Sequence, residues 1–193
     1  MARLYVSAPP TEEPVSLVDV KEHLRIDDSA SDWILDSYIS SAREQVEAVV
    51  GPIMPQTIVQ TEDAWPTGVR LPLRVRRVQS ISSVIYTDED GNSHTLAEES
   101  YTLDPDEHSP AVVLTPDRQW PTVSLWPVDG ISITCVAGFS GANSVPERIR
   151  HAIMLLVAHA YEMREPVVVG SGLSAVLEIP WTVQQLIGEY RSL

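Results

Sequence analysis

The hydrophobic period of this chain changes twice, and that change limits its fold more than any motif does. Apolar residues recur at three- and four-residue spacing from Leu17 to Val50 and again from Ile149 to Met163, the spacing of a helix face. Between Ile53 and Ala137 the pattern gives way to short β-branched segments punctuated by Pro, Gly and Asp, which reads as strands joined by turns. A sequence patterned for one period does not settle into the other. The predicted fold class is therefore α+β, a small helical bundle with an inserted antiparallel β-rich region. Residues 1–52 and 138–193 would form the discontinuous bundle and residues 53–137 the insertion.

The first helical stretch divides at HLRIDDSASDWILDSYI, which begins at His23. A calcium hand loop would need oxygen ligands at alternating positions, a glycine at the sixth and a glutamate at the twelfth; that register is absent, and the segment reads as a junction. Ser16 with Asp19 approximates a capping box for a helix to Arg25. Ser31 and Asp32 supply cap and first-turn chemistry for a second helix, from Asp32 to Val50, that Gly51 and Pro52 end. Its stripe is Leu35, Ile39, Ala42, Val46 and Val49, with Asp36, Arg43, Glu44 and Glu47 mainly opposite.

In the middle, the strand candidates are Thr57–Thr61, Ser80–Thr87, part of Thr95–Leu103, Ala111–Leu114 and Ile131–Ala137, with a hairpin turn at Asp90 and Gly91. Alternation in ISITCVA puts Cys135 on the core face with Ile131 and Ile133, which predicts a buried structural thiol. After Gly138, Ser144 as cap, Pro146 at the first helical position and Glu147 predict a helix start. Ile149, Ile153, Leu156, Ala160 and Met163 give that helix a long apolar face. Glu165 to Glu178 reads as a glycine-interrupted loop, and Pro180 opens a last short helix.

The charge balance excludes one class of partner. Twenty-seven acidic residues against thirteen Lys plus Arg give a net charge of -14, and phosphate binding needs clustered cations. A single cysteine excludes an internal disulfide framework and a Cys-based zinc site. MARLYVSAPPTEEP lacks the apolar centre of a signal peptide, and no apolar run approaches the ~20 residues that span a bilayer. The chain is expected to be soluble and intracellular when made, with no membrane partner.

No catalytic, cofactor or metal residue is assigned. His151 and His159 lie eight positions apart rather than four, outside any metal-binding helical pair. GSG at Gly170 is an incomplete dinucleotide fingerprint, and GFSG at Gly138 has the wrong spacing for a nucleophile elbow.

Two features stand apart. Arg70, Arg74, Arg76 and Arg77 cluster within a stretch, between Asp63 and Asp88, that has no acidic residue. One reading is a sheet edge guarded by charge; the other is a docking strip for an acidic surface, such as another copy of the chain. In the last helix, Val183, Leu186 or Ile187, and Tyr190 recur at helical spacing beside Trp181. So short a helix must pack on something, either the helix around Leu156 or a partner.

PVSLVDVKEHLRIDD, the acidic helix ending in VVG, RLPLRVRRVQSISSVIYTDEDG, VAGF, VPERIRHAIMLLVAHAYEMREPVVVG and IPWTVQQLIGEYR follow one another in an order that resembles the head-to-tail adaptor (connector, head-completion) proteins of long-tailed bacteriophages and gene transfer agents. The resemblance runs from Pro14 to Arg191. It implies a structural virion protein without an active site, assembled in the bacterial host cytoplasm as a ring of about twelve copies at the virion neck. Its partners would be the portal protein, neighbouring copies and a tail-side stopper or terminator protein, with DNA passing through without sequence-specific binding. It also implies C-terminal contacts with the portal, in which Trp181 and Tyr190 would be anchors and Arg191 would pair with a portal carboxylate. The competing class is a soluble small-molecule binding module or an enzyme with an unrecognised site.

Overall fold

The computed structural model describes residues 3–107, 109–163 and 181–190. The chain forms two compact units, one from Met1–Thr11 and Met54–Ser140, the other from Glu12–Ile53 and Gly141–Leu193.

The first unit is built from two antiparallel sheets. Strands β1 (Arg3–Ala8), β2 (Gln56–Glu62), β4 (Val78–Thr87), β5 (Ser93–Thr95) and β8 (Ile131–Ala137) form a sheet of order β1-β2-β8-β4-β5. Strands β3 (Arg70–Pro72), β6 (Tyr101–Asp104) and β7 (Ala111–Leu114) form a second, of order β3-β7-β6. Both sheets contribute to one apolar cluster: Ile58, Val84, Ile131, Ile133 and Cys135 from the larger sheet join Leu71, Tyr101 and Val112 from the smaller. The alternation in β8 is strict, with Ile131, Ile133, Cys135 and Ala137 each fully buried and the residues between them half-buried. Burial pushes the Cys135 thiol up to about 11, so it is protonated and unreactive at neutral pH.

Strands β1 and β3 were not expected from the sequence. The first places residues 1–11 in the β unit rather than in the helical one, a correction to the predicted boundary; it pairs with β2 from Arg3↔Thr61 to Ala8↔Thr57. Every residue of β1 is exposed, so it carries none of the alternation by which a half-buried strand is recognised. The predicted hairpin forms as a five-residue loop between Thr87 and Ser93, its paired ends, with Gly91 at φ 84°. Asp88 staples this loop, its carboxylate accepting from the backbone of Asp90 and Asn92 and lying 2.8 Å from His94 Nε2. Gly138 ends β8 at φ 129°, against the Met54 carbonyl, where a Cβ would clash with backbone.

The second unit is helical, with α1 (Leu17–Leu24), α2 (Asp32–Val50), α3 (Glu147–Glu162) and α4 (Trp181–Ile187). The capping box of α1 is present: Ser16 Oγ accepts from the Asp19 backbone N–H at 3.1 Å while Asp19 accepts from Ser16 N–H at 3.2 Å. Arg25 stops the helix in a left-handed conformation, φ 57°, two residues before the expected acidic break. Ser31 makes no side-chain cap to α2; only its carbonyl accepts, from Ile34 and Leu35. Lys21 instead joins α1 to the first turn of α2 through a 2.7 Å bond to Asp32. Pro146 occupies the cap position of α3 rather than its first turn, with Ser144 in the preceding 3-10 turn. Ile149, Ile153 and Leu156 are buried as their spacing predicts, whereas Met163 lies just past the helix end, 65% exposed.

Arg43 is the unexpected member of this core. Its side chain, read as lying opposite the apolar stripe, is 6% exposed and holds Glu13 at 2.8 Å and Glu47 at 2.7 Å. Glu13 also accepts from Ser40, and Glu47 from the Ile53 backbone N–H. Removing one member of such a buried set leaves charge uncompensated. Arg43→Leu is therefore expected to lower stability by about 3–5 kcal/mol, read as a drop in the denaturant midpoint at unchanged slope.

The Asp88 staple is sensitive to pH. The His94 ring, then the Asn92 backbone, holds its carboxyl at about 2, below the ordinary 3.8. A depressed folded value stabilises above the unfolded one and is lost as pH falls. Protection of the 88–92 loop should hold above pH 4 and fade as pH drops toward 2, and Asp88→Asn should remove that pH dependence in amide exchange.

Candidate functional site

The C-terminal helix divides its predicted contact residues into two groups. Val183 and Ile187, four apart, are 0% and 1% exposed. The helix packs on α3 and α2, so these two close the unit's own core and are unavailable to a partner, which corrects their placement at a binding surface. Trp181 is 72% exposed, and Leu186 and Tyr190 are half-buried. Trp181 and Leu186 line a shallow groove of about 590 Å³ with Leu155, Arg148 and His151 of α3. The 3-10 turn Gly188–Tyr190 is pinned to α3 by Arg148, 2.6 Å from Glu189. Arg191, Pro180 and the Gly170–Gly172 segment lie outside the described residues.

The arginine stretch lies in the β unit, and its alternation is regular. Leu71, Leu73 and Val75 are buried, so the residues between them point outward although only Arg70–Pro72 is strand. Buried Gln60 fixes this run: its amide donates to Pro72 O at 3.0 Å and its Oε1 accepts from the Arg74 backbone N–H at 2.7 Å. The four guanidiniums do not converge on one site. Arg70 reaches Asp104 at 2.6 Å, Arg74 reaches Glu62 at 3.3 Å, and Arg76 lies 4.0 Å from Glu107. Arg77, with φ 55°, places its guanidinium 4.8 Å from the Phe139 ring centroid. Arg70 and Arg74 keep more than half of their side-chain surface exposed, at 51% and 60%; Arg76 is 13% exposed.

Sequence reasoning passed over the exposed apolar residues Leu4, Tyr5 and Val6 of β1, and Trp33 at the start of α2, which is 73% exposed. Among the described residues, no group of three His, Cys, Asp or Glu side chains could hold a metal ion, and no helix is long and apolar enough to cross a membrane. His151 meets His23 edge-on at 6.5 Å.

A family model described as Phage gp6-like head-tail connector protein matches residues 14–110. The chain belongs to this head-tail connector family. Its fold is similar to chains in three solved structures. One is the virion of a native gene transfer agent (GTA) particle, at TM-score 0.77 and 21% identity over 98% of this chain and 95% of that one. The others are the neck of a native GTA particle computed with C12 symmetry and the neck of an empty GTA particle computed with C6 symmetry, each at TM-score 0.73 and 22% identity over 100% of this chain and 96% of the other. No curated protein matches the sequence.

The division within α4 yields a pair of substitutions. Ile187→Ala empties a buried site and should cost about 2–5 kcal/mol. Trp181→Ala removes an exposed ring and should leave the melting temperature within a few degrees. Truncation before Trp181 takes Val183 and Ile187 from the core and is expected to destabilise the helical unit, measured by thermal melts.

Proposed function

We propose that this connector is a structural adaptor of a virion neck, forming a ring of about twelve copies between the portal protein and a tail-side stopper or terminator protein. DNA passes through the ring without sequence-specific contact. The observation that carries the reading is membership of the connector family across residues 14–110, supported by likeness of fold over the whole chain to chains of GTA necks and virion. One of those necks was computed with C12 symmetry and another with C6, and a ring of twelve is compatible with both. Assembly takes place in the bacterial host cytoplasm, and no step needs a catalytic residue or a cofactor.

Two surfaces serve this role. Trp181, Leu186 and Tyr190, with Arg191 beyond them, form the portal- or tail-side contact. Large aromatics at such positions contribute most of the binding energy. Arg70 and Arg74, whose guanidiniums are more than half exposed and so hold their carboxylates weakly, exchange them for those of a neighbouring copy; Arg76 and Arg77 hold the strip in place beside them. A net charge of -14 per copy opposes self-association at low salt, with repulsion screened beyond ~8 Å at physiological ionic strength.

The purified protein should accordingly be monomeric or weakly associated and form rings on the portal, measured by light scattering and electron microscopy. Arg70→Glu with Arg74→Glu should weaken ring association, with far-UV circular dichroism unchanged. A stable ring without portal, or unchanged association of the double variant, would count against these assignments. A binding module would instead reveal itself by a ligand-dependent melting shift.

A further inference from the structure

Among the described residues, the two sheets present four edges, β1 and β5 of the larger, β3 and β6 of the smaller. Unpaired edges invite association unless they are short, charged or interrupted by proline. Two of the four are blunted in this way: β5 has three residues, and β3 has three, with Arg70 at one end and Pro72 at the other. By contrast β1 is six residues long, carries one charge, at Arg3, and holds Leu4-Tyr5-Val6 at its centre. Its only irregularity is a bulge beyond Val6.

The faces of β1 show what is missing beside it. Leu4 and Val6 stand opposite Gln60 and Ile58 of β2, on the side where Ile58 joins the apolar core. Yet they remain 47% and 51% exposed. The core layer therefore stops one strand short, leaving apolar side chains and an open backbone edge together. Strand β6, YTLD, has complementary properties. Tyr101 and Leu103 lie on the core side, Thr102 is exposed, and Asp104 ends the strand.

Resting on the ring reading above, we propose that β1 of one copy pairs antiparallel with β6 of the next, in the register Arg3↔Asp104, Leu4↔Leu103, Tyr5↔Thr102 and Val6↔Tyr101. Leu4 and Val6 then continue the neighbour's apolar layer, and Arg3 meets a carboxylate. Each charged group already has a partner in its own chain, Asp129 at 3.1 Å from Arg3 and Arg70 at 2.6 Å from Asp104. Both remain accessible, with side chains 68% and 36% exposed. The contact joins two different edges, so it is heterologous, the type that propagates around a ring rather than closing a dimer. Four paired residues bury far less than the ~1,600 Å² of a stable complex, so this contact adds to ring closure on the portal and leaves the free subunit monomeric.

Directly opposed residues in an antiparallel pair have Cα atoms about 4.5–5.5 Å apart, within disulfide reach. Tyr5→Cys and Thr102→Cys, both at exposed positions, should give a ladder of covalent multimers beyond the dimer when portal-assembled rings are oxidised. Mixing the two single variants should give dimers only. Cys135, fully buried, should leave the unsubstituted protein unlinked. Adding Leu4→Lys and Val6→Lys should abolish the ladder without changing the monomer's melting temperature by more than a few degrees. Should the cysteine variant fail to fold, Leu4→Lys with Val6→Lys alone should still reduce ring formation on the portal. Rings that form under the microscope but yield no ladder, or that are unaffected by the lysines, overturn the edge pairing and leave the ring reading standing. Failure of the unsubstituted protein to form rings on the portal removes both.

Discussion

The buried guanidinium of Arg43 is the interaction on which the helical unit most depends. The unit begins at Glu12 and is left for the β unit after Ile53. Glu13 binds Arg43 directly, and Ile53 is held through Glu47. One cation therefore fixes, from the middle of α2, two of the three segments at which the chain passes between the units, the third lying at Ser140–Gly141. A buried ion pair contributes little net stability when replaced whole by apolar groups of the same shape. What it contributes here is direction: carboxylates at 13 and 47 satisfy the fork of a guanidinium in a way that no apolar contact specifies. The apolar stripe of α2 is non-directional in its attraction, whereas this set of bonds requires a particular orientation of its partners.

Gln60 plays the corresponding part in the β unit. It lies on the same face of β2 as Ile58, wholly buried, and its amide occupies backbone groups of Pro72 and Arg74. The stretch after β3 has no strand partner for these groups, and unpaired backbone polar groups in a core cost about 1–3 kcal/mol each. Gln60 supplies what a ladder would otherwise provide. The run from Arg70 to Arg76 can thus alternate inward and outward without being a strand along its length, and its arginines are held at fixed places on the surface.

How far the sequence revealed this arrangement depended on whether a segment buries one face. The α+β class was legible, and α2, β7 and β8 fell at their expected bounds, because each presents a regular apolar face and clear stops. The wholly exposed β1 left no periodic trace, and β3 was hidden by Pro72 and the surrounding arginines. Caps were less legible than stripes. Ser16 works as its spacing suggests because Asp19 returns the bond, while Ser31 does not cap, since its backbone sits near φ -101° and ψ 1° rather than in the extended conformation a capping residue uses. The C-terminal helix was ambiguous for a related reason: Val183, Leu186 and Ile187 are all apolar, and periodicity does not separate a face that packs within its own unit from one that waits for a partner. Arg43, charged and internal, was invisible to hydropathy by its nature.

The electrostatics follow from how these cations are used. Among the described residues, Arg3, Lys21, Arg43, Arg70, Arg74, Arg76, Arg148 and Arg150 are engaged by carboxylates of the same chain. Phosphate binding draws on clustered cations that can release the nucleic acid's counterions, and a guanidinium committed to a neighbouring carboxylate contributes little to such release. The acidic excess therefore dominates the field around each copy. In the ring proposed above this excess would be repeated around the circumference, raising the cost of bringing copies together and lowering the attraction of a lumen for DNA. Both effects would come from the same charges: assembly would be favoured where a partner supplies compensating contacts, and a lumen lined by such copies would attract DNA weakly.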